Sequence, residues 1–311
     1  MTSLMVKYRP KTLKEVIGQT EAVKSLRTML ERGAPHAFLF TGPSGTGKTT
    51  LARIIANEVG CQQAGLLEID AATVSGIDAM REITNTARYA AMGESAIRCL
   101  IIDEAHGLSK PAWQSILKAV EEPPPHVYWL LCTTERDKVP NTIVTRCARF
   151  DLKGVGTNEL YTLLSGVADK ENLAATDDVL WLMAKKANKS PRQALAFLEV
   201  AGHCTKKEEA AKLLEIALET DDVLNLCRFL VEGRDLNWAK VSKLVGAVKD
   251  ENPEGVRLVV TNYVATTLVG LKDNDRRATY LLNVLEAFSK PYNPSEKLGP
   301  LLRSIGQVVY S

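Results

Sequence analysis

Ala37-Phe38-Leu39-Phe40-Thr41-Gly42-Pro43-Ser44-Gly45-Thr46-Gly47-Lys48-Thr49-Thr50 is the stretch that decides the fold. An apolar strand runs into a glycine-rich loop of the form G-x-x-x-x-G-K-[ST], and a helix opens at Thr49. Its glycines let backbone N–H groups turn inward around phosphate oxygens, and the helix N-terminus adds the positive end of its dipole. Lys48 supplies a charge to the β- and γ-phosphates, and Thr49 offers a hydroxyl to Mg²⁺. Gly42, Ser44, Gly45, Thr46, Gly47, Lys48, Thr49 and Thr50 are therefore the candidate nucleotide-binding residues.

A second stretch, Cys99-Leu100-Ile101-Ile102-Asp103-Glu104-Ala105-His106, carries two carboxylates at the C-terminal tip of an apolar strand. Ligands of open α/β sheets sit at such tips. Asp103 joins Thr49 as a Mg²⁺ holder, and Glu104 is placed to polarise an attacking water. His106 reads as structural, since no partner motif assigns it chemistry. Together the two stretches imply ATP hydrolysis.

Outward from the loop, near-continuous apolar runs at 37–41, 66–70, 98–103, 127–133 and 148–152 read as strands of a parallel sheet covered on both faces. Helical patterns at 21–31, 49–58, 76–91 and 110–121 alternate with them, and Pro123-Pro124-Pro125 ends the last one. This alternation predicts an α/β doubly wound, five-stranded domain over 1–152. Beyond it the pattern is helical only. Segments 158–170, 175–188 and 191–200 predict a small helical domain over 153–205, and five or six further helices predict an all-α domain over 206–311.

The chain has 311 residues, 45% apolar and 24% charged, which excludes wholesale disorder. Its formal charge of +2 excludes a basic coat, though not a local basic groove. Residues 206–311 hold fifteen basic and fifteen acidic side chains, so the whole excess falls before them. No signal peptide is read at the start, and the apolar stretch 256–271 is interrupted by Arg257 and Asn262, as a buried helix is. Cys61, Cys99, Cys132, Cys147, Cys204 and Cys227 form no C-x-x-C pair; they read as small buried hydrophobes of a cytoplasmic protein.

Residues 7–200 resemble an AAA+ ATPase, the gamma/tau-type motor subunit of a DNA sliding-clamp loader. Lys7-Tyr8-Arg9-Pro10-Lys11-Thr12 with Val16-Ile17-Gly18-Gln19 is similar to the family's opening. The resemblance implies adenine contacts from Tyr8, Arg9, Pro10, Val16 and Ile17. Leu131-Cys132-Thr133-Thr134 resembles the sensor-1 strand end, with Thr134 facing the γ-phosphate or water. Thr145-Arg146-Cys147 stands where the family has Ser-Arg-Cys, which implies that Arg146 reaches the ATP of a neighbouring subunit. Ser190-Pro191-Arg192-Gln193-Ala194-Leu195 resembles the sensor-2 helix, with Arg192 on the γ-phosphate in cis; here Lys189-Ser190-Pro191 alters the helix start. By the same resemblance 153–205 is the lid and 206–311 the collar.

The resemblance further implies ATP and Mg²⁺ as ligands, a pentameric ring holding several copies of this chain, a sliding clamp and primer–template DNA as partners, and no membrane. Ser75, Gly76, Arg81, Ser109 and Lys110, at or near two helix starts, match the positions that follow the DNA backbone. The loop near Gly93 and Glu94 is the candidate for clamp contact. The four-cysteine zinc insertion of bacterial relatives is missing after Cys61, so no zinc is expected. No helicase-binding tail is expected either. Such compact subunits resemble archaeal small subunits or phage motor subunits, the latter acting in the host-cell cytoplasm. Two rivals stand beside this reading. A DNA-translocating AAA+ motor of the branch-migration type would add a winged-helix domain. A non-catalytic loader subunit would tend to lack Lys48, Thr49, Asp103 or Glu104.

Overall fold

Strands β1 (Ala37–Thr41), β2 (Leu66–Asp70), β3 (Arg98–Asp103), β4 (Val127–Thr133) and β5 (Ala148–Asp151) form one parallel sheet in the order β2-β3-β4-β1-β5. The computed structural model describes residues 3–91, 95–219, 221–233, 237–249, 252–271, 277–293, 296 and 298–310. Successive side chains of a strand point to opposite faces, so a run that is apolar throughout needs cover on both. Leu39, Leu100, Ile102, Trp129 and Leu131 pack on one face with Met80, Trp113 and Ile116. Phe38, Phe40, Ile101, Leu130 and Phe150 pack on the other with Leu26, Leu51 and Ile55. Trp129, Phe38 and Phe40 are fully buried, and burying each contributes about 2–3 kcal/mol.

The covering helices are α2 (Thr20–Arg32), α3 (Lys48–Glu58), α4 (Ile77–Ala87), α5 (Lys110–Glu121) and the short α6 (Asn141–Val144); α1 (Leu4–Lys7) precedes them. Helix α4 ends four residues before the predicted 91. There the Arg98 guanidinium takes the carbonyls of Tyr89 and Ala90, at 3.1 and 3.4 Å, which a continued helix would need. The register Thr41↔Thr133 and Asp70↔Asp103 aligns the strand tips along one edge, and the phosphate loop leaves β1 at that edge.

The chain divides into two compact units, Arg9–Gly156 and Met1–Tyr8 with Thr157–Ser311. The second contains α7 (Thr157–Glu171), α8 (Asp177–Lys186), α9 (Pro191–Ala201), α10 (Lys207–Glu219), α11 (Asp221–Glu232), α12 (Trp238–Ala247), α13 (Pro253–Val269), α14 (Arg277–Ala287) and α15 (Gly299–Tyr310). Ala194 through Ala201 are all buried, and α9 packs against α7, α8, α10 and α13. The stretches predicted as lid and collar thus share a packed core around α9. Residues 3–8, grouped by the sequence with the nucleotide domain, pack in this unit, where Glu199 and Glu171 hold them. Glu199 accepts from Ser3 Oγ at 2.6 Å and from Leu4 N–H, and Glu171 accepts from Lys7 and Tyr8.

All six cysteines are unpaired, and among the described residues no three His, Cys, Asp or Glu side chains converge as a metal cluster. No described helix is long and apolar enough to cross a membrane.

Candidate nucleotide-binding site

The loop's path starts with Gly42, whose φ of 139° few side chains tolerate. A Cβ there would stand 2.3 Å from the Leu152 carbonyl oxygen. That carbonyl belongs to the strand-end residue whose N–H donates to Thr41 O at 2.8 Å, so the backbone there cannot retreat. Thr46 Oγ1 donates to Pro43 O at 2.8 Å and closes the loop on itself. Gly47, at φ 103°, turns the chain directly into α3. Lys48 is buried at 6% exposure and bends over the loop, donating to Gly42 O at 2.9 Å and Pro43 O at 3.0 Å.

At the neighbouring strand tip, Thr49 Oγ1 donates to Asp103 Oδ2 at 2.7 Å, and Glu104 N–H donates to Asp103 Oδ1 at 3.0 Å. A hydroxyl and a carboxylate are hard oxygen donors. They suit Mg²⁺, which takes few protein ligands and completes its octahedron from phosphates and water. Glu104 stands at φ 45°, the left-handed region, at a cost of about 1 kcal/mol for a residue with a Cβ. The turn that follows closes through Gly107 N–H to Glu104 O at 2.8 Å. Thr134 Oγ1 donates to Glu104 Oε2 at 3.3 Å, so the β4 end and the β3 end meet on this carboxylate. Behind them, burial drives the Cys132 thiol well above its ordinary pKa, and the Asp103 charge adds to the effect.

His106 also belongs to this cluster. Its Nδ1 lies 3.1 Å from Thr133 Oγ1 and 3.3 Å from Glu104 Oε2, and its Nε2 lies 3.3 Å from Glu135 Oε1. The hydrogen bond from Lys138 keeps the Glu135 carboxyl below its ordinary pKa, with His106 adding a smaller pull. Sequence reasoning did not single out Glu135, and it read His106 as structural. The available signal was the position of His106, two residues after Glu104 in a strand-tip turn.

The segment 16–19 is fixed within the same unit. Gln19 donates to Lys153 O at 2.6 Å and accepts from Lys153 N–H at 3.2 Å, while Val16 packs against the Phe38 side of the core. Val16, Ile17, Arg9 and Pro10 are half-buried. Tyr8 lies in the other unit, with its hydroxyl on Glu171; burial first, and then that carboxylate, push its pKa up to about 12. Arg192 is exposed at the start of α9 in that unit. Asn188 and Lys189, both left-handed, precede it, and Ser190 caps the helix through Gln193 N–H at 3.2 Å. Arg146 is docked away from the loop, donating to Thr142 O at 2.6 Å and to Glu121 Oε1 at 2.7 Å.

The two helix starts predicted to meet DNA are neighbours: Ser109 N–H donates to Ser75 O at 3.3 Å, and α4 packs along α5. The Ser109 hydroxyl caps α5, whereas α4 has no side-chain cap at Gly76. Ser75, Gly76, Arg81, Ser109 and Lys110 are all exposed, and Arg81 lies 3.7 Å from Asp78. Gly93 and Glu94 lie outside the described residues.

Residues 66–156 match the family model described as DNA polymerase III, delta subunit, and residues 12–110 match that of magnesium chelatase, subunit ChlI. The chain is 35% identical over 231 residues to DNA polymerase III subunit tau of Bacillus subtilis (strain 168), covering 65% of this chain and 40% of that one. With DNA polymerase III subunit gamma of Buchnera aphidicola subsp. Schizaphis graminum it shares 31% over 259 residues, 71% of each chain. With the tau subunit of Escherichia coli (strain K12) it shares 30% over 279 residues, 82% of this chain and 43% of the relative. The matched region is thus less than half the length of either tau subunit, 40% and 43%. Among solved structures, the Thermotoga maritima RuvB Holliday junction branch migration motor superposes with a TM-score of 0.51 over 96% of this chain and 85% of its own. A point mutant of that RuvB gives 0.56 over 77% and 85%. Both are 22% identical, a likeness of fold alone.

Proposed function

Because the chain belongs to the DNA polymerase III gamma/tau family, we propose that it is the ATPase motor subunit of a DNA sliding-clamp loader. The observation that carries this reading is the junction of Thr49, Asp103, Glu104 and Thr134 beside the Lys48 loop. Inward N–H groups of residues 44–49 and the Lys48 ammonium hold the β- and γ-phosphates. Thr49 and Asp103 would hold Mg²⁺, which would supply positive charge to the transferring phosphoryl group. Glu104 accepts a hydrogen bond from the attacking water, and Thr134 reports the γ-phosphate to it. Arg9, Pro10, Val16 and Ile17 face the base, and by the family resemblance Tyr8 and Arg192 are nucleotide contacts as well. Helices of 153–205 serve as the lid and those of 206–311 as the collar of a pentamer.

In this reading Arg146 completes a neighbour's site, so ATP favours the assembled spiral over the relaxed one. The spiral opens the clamp and admits primer–template DNA, whose phosphates meet the adjoining starts of α4 and α5. Hydrolysis then releases the closed clamp on DNA. No zinc is part of the scheme, and the protein acts in the cytoplasm. ATP hydrolysis by the purified complex should rise when primer–template DNA and a sliding clamp are present together. Stimulation by DNA alone, accompanied by strand displacement, would instead establish a branch-migration motor.

A further inference from the structure

We propose that His106 is a positioning residue for Glu104 and ties it to the segment after β4; this rests on the ATPase reading above. Thr134 donates to Glu104 Oε2, and His106 Nδ1 stands 3.3 Å from the same oxygen. Among the described residues no group hydrogen-bonds Oε1, which leaves that oxygen to a water. The backbone sets the root of the side chain in the left-handed region, so the two contacts at Oε2 decide where Oε1 points.

His106 is itself held from the far side. Thr133 Oγ1, 3.1 Å from Nδ1, accepts from Glu135 N–H at 3.0 Å. Glu135 Oε1 stands 3.3 Å from Nε2, and Lys138 binds the same carboxylate at 2.9 Å. The ring therefore bridges the tip of β3 and the segment 133–138. A packing role would surround the ring with apolar atoms. Here its side chain is 21% exposed and both nitrogens meet oxygens of the hydrolytic cluster. The segment that carries Thr134 thus reaches Glu104 by two routes, directly and through the imidazole.

The test compares ATP affinity and single-turnover hydrolysis in the purified complex for His106→Ala, His106→Asn, Glu104→Gln and the double variant His106→Ala/Glu104→Gln. Losing a general base costs ~10²–10⁴-fold, and losing its positioning partner should cost a part of that, on the order of ten-fold. His106→Ala should therefore hydrolyse about ten-fold more slowly with unchanged ATP affinity. His106→Asn, whose amide nitrogen can stand in for Nδ1, should recover most of the rate. Added to Glu104→Gln, the alanine should cost nothing more, because His106 acts only through Glu104. An unchanged rate in His106→Ala, an equal loss of ATP affinity, or no rescue by asparagine overturns the positioning role and leaves the ATPase reading intact. Wild-type hydrolysis by Glu104→Gln sinks both.

Discussion

Thr49 and Asp103, fifty-four positions apart, meet through a 2.7 Å hydrogen bond that joins the first turn of α3 to the tip of β3. The same two oxygens are the proposed Mg²⁺ ligands, so the site is organised by a contact the metal would replace. Asp103→Ala should leave the fold intact and lower Mg²⁺-dependent ATP hydrolysis at least ~10²-fold. Hydrolysis followed through a Mg²⁺ titration checks this; a wild-type titration curve would remove Asp103 from the metal site. Lys48→Ala should abolish ATP binding in equilibrium titration.

Gly42→Ala tests the loop's geometry rather than its chemistry. The added methyl would meet the Leu152 carbonyl at 2.3 Å on a φ of 139°. Strain of this kind should destabilise the protein by about 3 kcal/mol, seen as a lower denaturation midpoint. Gly47→Ala meets no atom within 4 Å and should cost less, through its φ alone.

Arg146 binds Glu121 on a partly exposed face, so Arg146→Ala should change stability by no more than about 0.5 kcal/mol. In the assembled complex it should retain ATP binding while hydrolysis falls ~10³-fold or more. Mixing Arg146→Ala subunits with Lys48→Ala subunits tells whether the arginine serves its own site or a neighbour's. Normal hydrolysis by the all-variant complex would refute the finger.

Burial raises the Glu199 pKa, and the hydrogen bonds from Ser3 and Leu4 only partly oppose it. A raised folded-state value means that Glu199 supports folding most when protonated. Its contribution is lost as pH climbs from the ordinary carboxylate range through the raised value. Glu199→Gln keeps an acceptor for Ser3 and Leu4 and removes the titration. Its melting temperature should fall less than that of the wild type between pH 4.5 and pH 7. Parallel curves for the two proteins would show that Glu199 does not govern this range.

Lys110→Ala should weaken DNA binding to a similar degree for every sequence and reduce the salt slope by about one. Fluorescence anisotropy at several salt concentrations reads both. An unchanged slope would take Lys110 off the DNA path.

What could be read from the sequence was whatever depends on near neighbours. The central strands β1, β3 and β4 announced themselves because they bury both faces, and the Gly42–Thr49 loop through the spacing of its glycines and lysine. What could not be read shares a cause. His106 reads as structural from the sequence, and its contacts with Thr133 and Glu135 come from the end of the neighbouring strand β4 and the segment after it. The attachment of Ser3 and Lys7 is set by Glu199 and Glu171, more than 160 positions later in the chain. Arg146 stood out through its motif, while its partner Glu121 lies at the end of α5, twenty-five positions earlier. Chain distance hid these contacts, because no periodicity records a partner met only through tertiary packing.

Helix α5 has Ser109 and Lys110 at one end and Glu121 at the other. At 1.5 Å per residue its twelve residues make a rod about 18 Å long, stiffened by Ala112, Trp113, Ile116 and Val120 in the core. Under the proposed function, phosphate binding at Lys110 would load one end of a rod whose other end carries Glu121, the partner of Arg146. In that reading the helix works as a lever, and what it moves is the 2.7 Å contact that keeps Arg146 against its own subunit.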